Sequence, residues 1–385
     1  MIKQIKSILI CAAVCFLSCK ELKKEAAQEK EVTQEKEEIK ASLKSTFNSD
    51  FLIGAAINSA HIKETDSIGV ALINREFNSI TPENDLKWEG IHPKENEYFF
   101  DIADAYVAFG QKNNLYTIGH TLLWHSQLSP YVSKITKKED LENHIKTHIN
   151  TIAGRYKGKI NAWDVVNEAL NEDGSPRTSH FYNVFKGESY LELAFKTASE
   201  AAPDAKLVYN DYNLWKPEKR KGVIRIVKNL QEKGIKIDGV GMQAHWSLDG
   251  PSIEDIENSI LAYSELGVKV SFTELDITVL KKPKGLNGAA IEQNYDRYKN
   301  DPIFNPYKDG LTEEAKQKLA TRYEAVFNLF LKHKDKIERV TFWGVNDGNS
   351  WLNDWPIKGR TNYPLLFDRN NQPKDVYKNV ISIKK

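Results

Sequence analysis

Eight short apolar runs, each suited to a strand, recur along this chain at intervals of roughly 40 residues. They span 51–58 (FLIGAAIN), 77–83 (FNSITPE), 115–123 (LYTIGHTLL), 160–168 (INAWDVVNE), 206–211 (KLVYND), 236–245 (KIDGVGMQAH), 268–276 (VKVSFTELD) and 338–346 (ERVTFWGVN). Between them lie stretches whose apolar residues fall three and four apart, as one face of a helix requires. These are 102–113, 140–156, 189–201, 217–233, 253–266 and 313–332. Strands separated by helices pair in parallel, because each crossover returns the chain to the same end of the sheet. Eight such units predict a closed (β/α)8 TIM barrel, an α/β fold, as one domain over residues 46–385. An open doubly wound sheet is the alternative. It would usually carry a glycine-rich phosphate loop after its first strand, and none is present.

In a barrel of this kind, functional side chains sit where the strands end and the loops begin. Glu83, His120, Glu168, Asn210, His245, Glu274 and Asn346 all fall at such positions. Packing alone does not explain them, since barrel interiors are filled mainly by branched apolar residues and a lone buried charge is costly. Two glutamates stand out. Glu168 ends Trp163-Asp164-Val165-Val166-Asn167-Glu168, and Glu274 ends Val268-Lys269-Val270-Ser271-Phe272-Thr273-Glu274. They close the fourth and seventh strands, three steps apart around the ring, so they can face each other across its mouth. Paired carboxyls there suit acid–base cleavage of an uncharged polar substrate such as a glycoside. Retention needs them about 5–5.5 Å apart and inversion about 6.5–9.5 Å, and the residues alone leave both open.

The neighbours divide the roles. Glu168 lies near Trp163 in a partly apolar setting that would raise its pKa, as a general acid needs. Glu274 has Thr273, Asp276 and His245 nearby, which would keep it ionised and able to attack. Trp88, Trp124, Trp246, Trp343, Trp351 and Trp355 all lie at or just past strand ends. Any one of them could be core, but six on one rim suggest stacking on sugar rings. Asn84, Lys87, Asn167 and Gln243 would supply hydrogen bonds to hydroxyls.

Charge and cysteine content exclude other classes. Lys and Arg total 54 against 53 Asp and Glu, so no basic excess marks a nucleic-acid binder. The three cysteines, Cys11, Cys15 and Cys19, are all in the first twenty residues, leaving no disulfide or thiolate metal site downstream. His120 and His125 are five apart without a paired metal motif, and no Gly-x-Ser-x-Gly elbow is present. Neither a metal nor a cofactor is expected.

At the N-terminus, Lys3 and Lys6 precede an apolar run from Ile8 to Leu17, short for a membrane span and apt for a secretory signal. It runs into Phe16-Leu17-Ser18-Cys19, which resembles a bacterial lipobox. The expectation is a signal over 1–19, lipidation of Cys19, and anchoring to the bacterial outer membrane after export. Residues 20–45 are dominated by Lys, Glu, Gln and Ala, and read as a charged tether.

The ordered motifs of residues 46–385 resemble the family-10 glycoside hydrolases, the endo-β-1,4-xylanases on a (β/α)8 barrel. They are Thr81-Pro82-Glu83-Asn84-Asp85-Leu86-Lys87-Trp88, Gly119-His120-Thr121-Leu122-Leu123-Trp124-His125, Trp163 to Glu168, Gly241-Met242-Gln243-Ala244-His245, Thr273-Glu274-Leu275-Asp276, and Trp343-Gly344-Val345-Asn346-Asp347 with Ser350-Trp351. The resemblance implies Glu168 as acid/base, Glu274 as nucleophile, and retention of configuration. It implies that Glu83, Asn84 and Lys87 hold a sugar two sites toward the non-reducing end. His120, Trp124, Asn167, Gln243, His245, Trp343 and Trp351 would surround the sugar being cleaved, and Tyr212 would stack on the leaving-group side. Xylan and xylo-oligosaccharides are the implied partners of a chain acting as a monomer. Two readings compete: a non-catalytic glycan-capture protein, and a glycosidase of other specificity such as a β-glucanase. The insertion-like stretch 281–312 follows the seventh strand, where it could alter leaving-group subsites.

Overall fold

The computed structural model describes residues 41–286 and 291–384. The signal, Cys19 and most of the tether therefore lie outside the described residues. Nine strands run in parallel: β1 (Leu52–Ile57), β2 (Ser79–Pro82), β3 (Tyr116–Trp124), β4 (Ala162–Asn167), β5 (Lys206–Asp211), β6 (Gly239–Met242), β7 (His245–Ser247), β8 (Lys269–Thr278) and β9 (Ile337–Phe342). Their order, β6-β5-β4-β3-β2-β1-β9-β8, closes through a β6–β8 pairing. The result is the expected eight-stranded TIM barrel. The run 236–245, expected as one strand, is two pieces. Ala244 adopts φ +68°, which breaks the ladder, and β7 resumes as a short extension pairing only with β8.

Six helices match the periodic stretches to within a few residues: Asp101–Lys112, Lys138–Arg155, Ser189–Ala201, Pro217–Glu232, Ile253–Ser264 and Glu313–Lys332. Two further helices of eight residues or more were not foreseen, Ser67–Glu76 and Asp375–Ser382. In the first, apolar residues run together at 70–73 and a glutamate, Glu76, is buried among them. Each helix lays an apolar face against the outside of the barrel, and side chains of that layer form the continuous core. Close packing there fixes Gly119. A Cβ at that position would stand 2.0 Å from the Trp163 ring of the neighbouring strand.

The interior departs from the expected branched apolar filling. β4 and β9 occupy the fourth and eighth places in the ring and are diametrically opposed. Even so, Arg339 Nη2 of β9 reaches Asp164 Oδ1 of β4 at 3.5 Å, so this ion pair spans the barrel axis. Both residues are buried, and Asp164 Oδ2 also meets His120 Nδ1 at 2.9 Å.

The packed body begins before residue 46. Leu43 is fully buried in the helix Leu43–Thr46, capped by Ser42. Its N–H donates to Glu76 Oε2 at 2.9 Å, and the Tyr377 hydroxyl donates to the same oxygen at 3.0 Å. Residues 42–45, whose composition resembles the tether, thus pin the two ends of the fold together. Leu43→Ala is expected to cost about 2–4 kcal/mol, read as a lower midpoint in denaturant unfolding.

Candidate active site

Ladder irregularities at the strand tips aim the site. β4 shifts register against β5 between Asp164 and Val166, so one extra residue is accommodated on β4. A bulge of this kind re-aims the side chains beyond it. It lets Asp164 and Asn167, an odd number apart, both face the barrel interior. β8 shifts against β9 between Phe272 and Leu275. Thr273 and Glu274, adjacent in sequence, can then both contact Asn210. Glu168 sits just past β4 at φ +59°, a left-handed conformation that costs a glutamate of order 1 kcal/mol. Its N–H is held by the Asn210 carbonyl at 2.9 Å.

Glu274 is embedded in donors. His245 Nε2 lies 3.1 Å from Glu274 Oε2, while His245 Nδ1 lies 3.0 Å from Asp276 Oδ2. Trp351 Nε1 donates to that same Asp276 oxygen at 2.8 Å. Burial alone would push the imidazole down, but Asp276 and Glu274 outweigh it and raise His245 to about 10. The ring is then an imidazolium at neutral pH. Burial would raise Glu274 too, but the His245 bond, the nearby histidines and Asn210 together hold it below its ordinary value. Asn210 is locked in orientation: Thr273 Oγ1 donates to its Oδ1 at 2.6 Å, so its Nδ2 donates to Glu274 Oε1 at 2.9 Å. Gly241 leaves room for this, since a Cβ there would meet Asn210 Oδ1 at 2.4 Å.

Glu168 has the opposite setting. Trp124 Nε1 donates to its Oε2 at 3.0 Å and Gln243 Nε2 to its Oε1 at 2.9 Å. These donors favour the carboxylate, as does Arg177, but burial and the Asp211 charge prevail and raise Glu168 to about 7. The aromatic neighbour is Trp124, where Trp163 was expected. Trp163 packs on the other side of the sheet, under Gly119. The amide of Asn210 also donates to Asn167 Oδ1 at 3.0 Å, tying the two halves of the site together.

Ten of the eleven residues expected to contact substrate line one cavity of about 270 Å³ with both glutamates. On one side Lys87 Nζ donates to Asn84 Oδ1 at 2.8 Å and lies over the Trp124 ring at 5.1 Å. Burial lowers Lys87 and raises the adjacent Glu83. Trp343 packs edge-on against His120 and His245, and Trp351 lies 4.5 Å from the parallel Trp355. Tyr212 does not line the cavity. It is 4% exposed, with Lys219 Nζ 4.0 Å over its ring and its hydroxyl accepting from Arg177, so the expected stacking face is covered. Two of the six rim tryptophans are core. Trp88 stacks on the buried His148, and Trp246 packs on Phe272.

Some of the site was not foreseen. Gln127 and Ile291 line the cavity. Behind Glu168, Asp211 is buried and paired with the buried Lys219 at 2.7 Å. Asp211 belongs to the Tyr209-Asn210-Asp211 strand end, a polar run in an apolar strand, which was its available signal. Gln127 follows β3 by three residues in a loop with no pattern to mark it. Arranged this way, the cavity holds one carboxyl able to give a proton near neutrality and one held as an anion. Trp124→Phe removes a donor to the Glu168 carboxylate, so its pKa should rise above about 7. Site-resolved carboxyl NMR titration checks the shift.

A family description, "Glycosyl hydrolase family 10", matches residues 42–383. The chain is 44% identical to "Endo-1,4-beta-xylanase A" of Xylanibacter ruminicola, over 89% of this chain and 93% of that one. It is 42% identical to "Beta-1,4-xylanase" of Dictyoglomus thermophilum, over 88% and 90% respectively. A solved GH10 endoxylanase from a sugarcane soil metagenome superposes with a TM-score of 0.83 at 46% identity, covering 89% of this chain and 99% of that one. A mutant solved in complex with xylotriose superposes at 0.78 with 35% identity, over 89% and 99%. With its closed parallel barrel and its two unlike carboxyls at the mouth, this chain belongs to glycosyl hydrolase family 10.

Proposed function

We propose that the chain is an endo-1,4-β-xylanase that hydrolyses internal β-1,4-xylosidic bonds of xylan by retaining double displacement. The observation that carries the reading is the opposite tuning of two buried carboxyls in one cavity: Glu168 raised to about 7, Glu274 held low. Glu168 gives its proton to the glycosidic oxygen while Glu274 attacks the anomeric carbon and the leaving sugar departs. Glu168, now a carboxylate, takes a proton from water, which adds to the anomeric carbon and releases Glu274. The oxocarbenium-like charge that develops is met by the Glu274 anion, which needs no reorganisation at that moment. The names of the xylanase relatives and the xylotriose complex of a similar solved structure support the substrate. The lipobox-like Phe16-Leu17-Ser18-Cys19 supports attachment to the outer membrane through an acylated Cys19.

Product analysis of the protein on xylan, mixed-linkage β-glucan and carboxymethyl-cellulose tests the substrate. Short xylo-oligosaccharides from xylan alone are expected, and cleavage of a glucan without cleavage of xylan would overturn the assignment. Glu274→Ala should leave no turnover with the fold intact by circular dichroism. Glu168→Ala should slow xylan hydrolysis by about a hundredfold or more, yet spare glycosylation by substrates with very good leaving groups. Equal losses on both substrate types would contradict the acid role. The pH profile of kcat/KM follows from the same two groups. It should fall as pH rises through about 7, where Glu168 loses its proton. On the acid side it should fall only below the ordinary carboxylate range, where Glu274 is protonated.

A further inference from the structure

The insertion after β8 does more than border the cleft. Its middle is fastened to the loop that follows β9. Tyr295 N–H donates to the Pro356 carbonyl at 2.9 Å, and Lys358 N–H to Asp296 Oδ1 at 2.7 Å. Further along, Thr361 N–H donates to Asn305 Oδ1 at 3.0 Å. That wall carries Trp351 and Trp355. In the other direction, Glu292 Oε1 accepts a hydrogen bond at 2.9 Å from Ser126 Oγ, in the loop after β3.

β3 and β8 hold the third and seventh places in the ring of eight, four steps apart either way. They are diametrically opposed, so a hydrogen bond between the loops that follow them crosses the mouth. Beside it, Ile291 lines the cavity that holds both glutamates. Ile291 is also one of four large apolar side chains left exposed among the described residues. An exposed aliphatic side chain in a polar cavity gains by covering the apolar face of a ligand.

We propose that residues 291–298 form a strap across the cleft, and that Ile291 with the Glu292–Ser126 bridge selects unbranched β-1,4-xylan chains. This assignment rests on the xylanase reading above. A bare xylose unit presents only ring hydroxyls and a C5 methylene and fits under Ile291. A xylose carrying an arabinose on O2 or O3 needs open space above the chain, and a bridge fixed to both walls removes it.

The test compares kcat/KM on linear β-1,4-xylohexaose and on arabinose-branched xylan for the full chain and its variants. Glu292→Ala and Ile291→Ala should raise the branched-to-linear ratio by roughly five- to tenfold. Hydrolysis of the linear hexamer by Glu292→Ala should stay within about twofold of the parent, since Glu292 touches neither catalytic carboxyl. Glu292→Gln keeps an acceptor for Ser126 and should keep the parental ratio. An unchanged ratio in both alanine variants would overturn the strap, even with the xylanase reading intact. So would a parent that cleaves branched xylan as readily as linear. A parent inactive on the linear hexamer would remove the xylanase reading, and the strap's selectivity with it.

Discussion

The pairing of β6 with β8 turns a sheet into a ring, and everything functional hangs on that closure. A parallel sheet with free edges would leave unpaired backbone groups and a line of strand tips. Closed, the same tips converge on one mouth. Residues more than a hundred positions apart in sequence, such as Glu168 and Glu274, then share a cavity. Parallel pairing also brings every strand's C-terminal end to the same side, so one rim collects all the polar tips while the helices cover the outside.

Within that mouth, two carboxyls of equal burial are driven apart by their neighbours. Each is 5% exposed, so burial raises both alike. The difference comes from charge. Glu274 faces an imidazolium held by Asp276, whereas Glu168 faces the buried Asp211 behind it. Neutral donors on Glu168 soften the rise without cancelling it. Asn210 sits between the two, donating to Glu274 and to Asn167 at once, with Thr273 fixing which way its amide points. One asparagine thus ties the Glu274 carboxyl to the strand end that carries Glu168.

Much of this was legible in the sequence because it is local. Strand runs, helix periods and polar residues at strand tips need no knowledge of distant partners, and they located the barrel and both glutamates. What was missed depends on tertiary placement. A tryptophan at a strand end gives no sign of which side of the sheet it faces, so Trp88 and Trp246 read like Trp343 and Trp351 though they pack in the core. Tyr212 follows a polar strand end, but its ring is covered by Lys219 from a helix that follows β5. Helix Ser67–Glu76 was hidden because its buried Glu76 serves Leu43 and Tyr377, distant in sequence, a need no local pattern reports. Likewise, composition placed residues 42–45 with the tether, whereas the burial of Leu43 places them with the barrel.

The ion pair along the barrel axis has a consequence for assembly. Asp164 comes from the fourth strand of the ring and Arg339 from the last. A compact half made of β1 to β4 would keep the carboxylate with its His120 partner from β3, but the complementary half would enclose the guanidinium without Asp164. Burying that charge unpaired costs several kcal/mol. The later half therefore cannot dry its interior before the earlier one is in place. An eight-unit repeat that looks divisible into independent modules is made to condense as one, and the last strand to leave the ribosome completes the middle of the molecule.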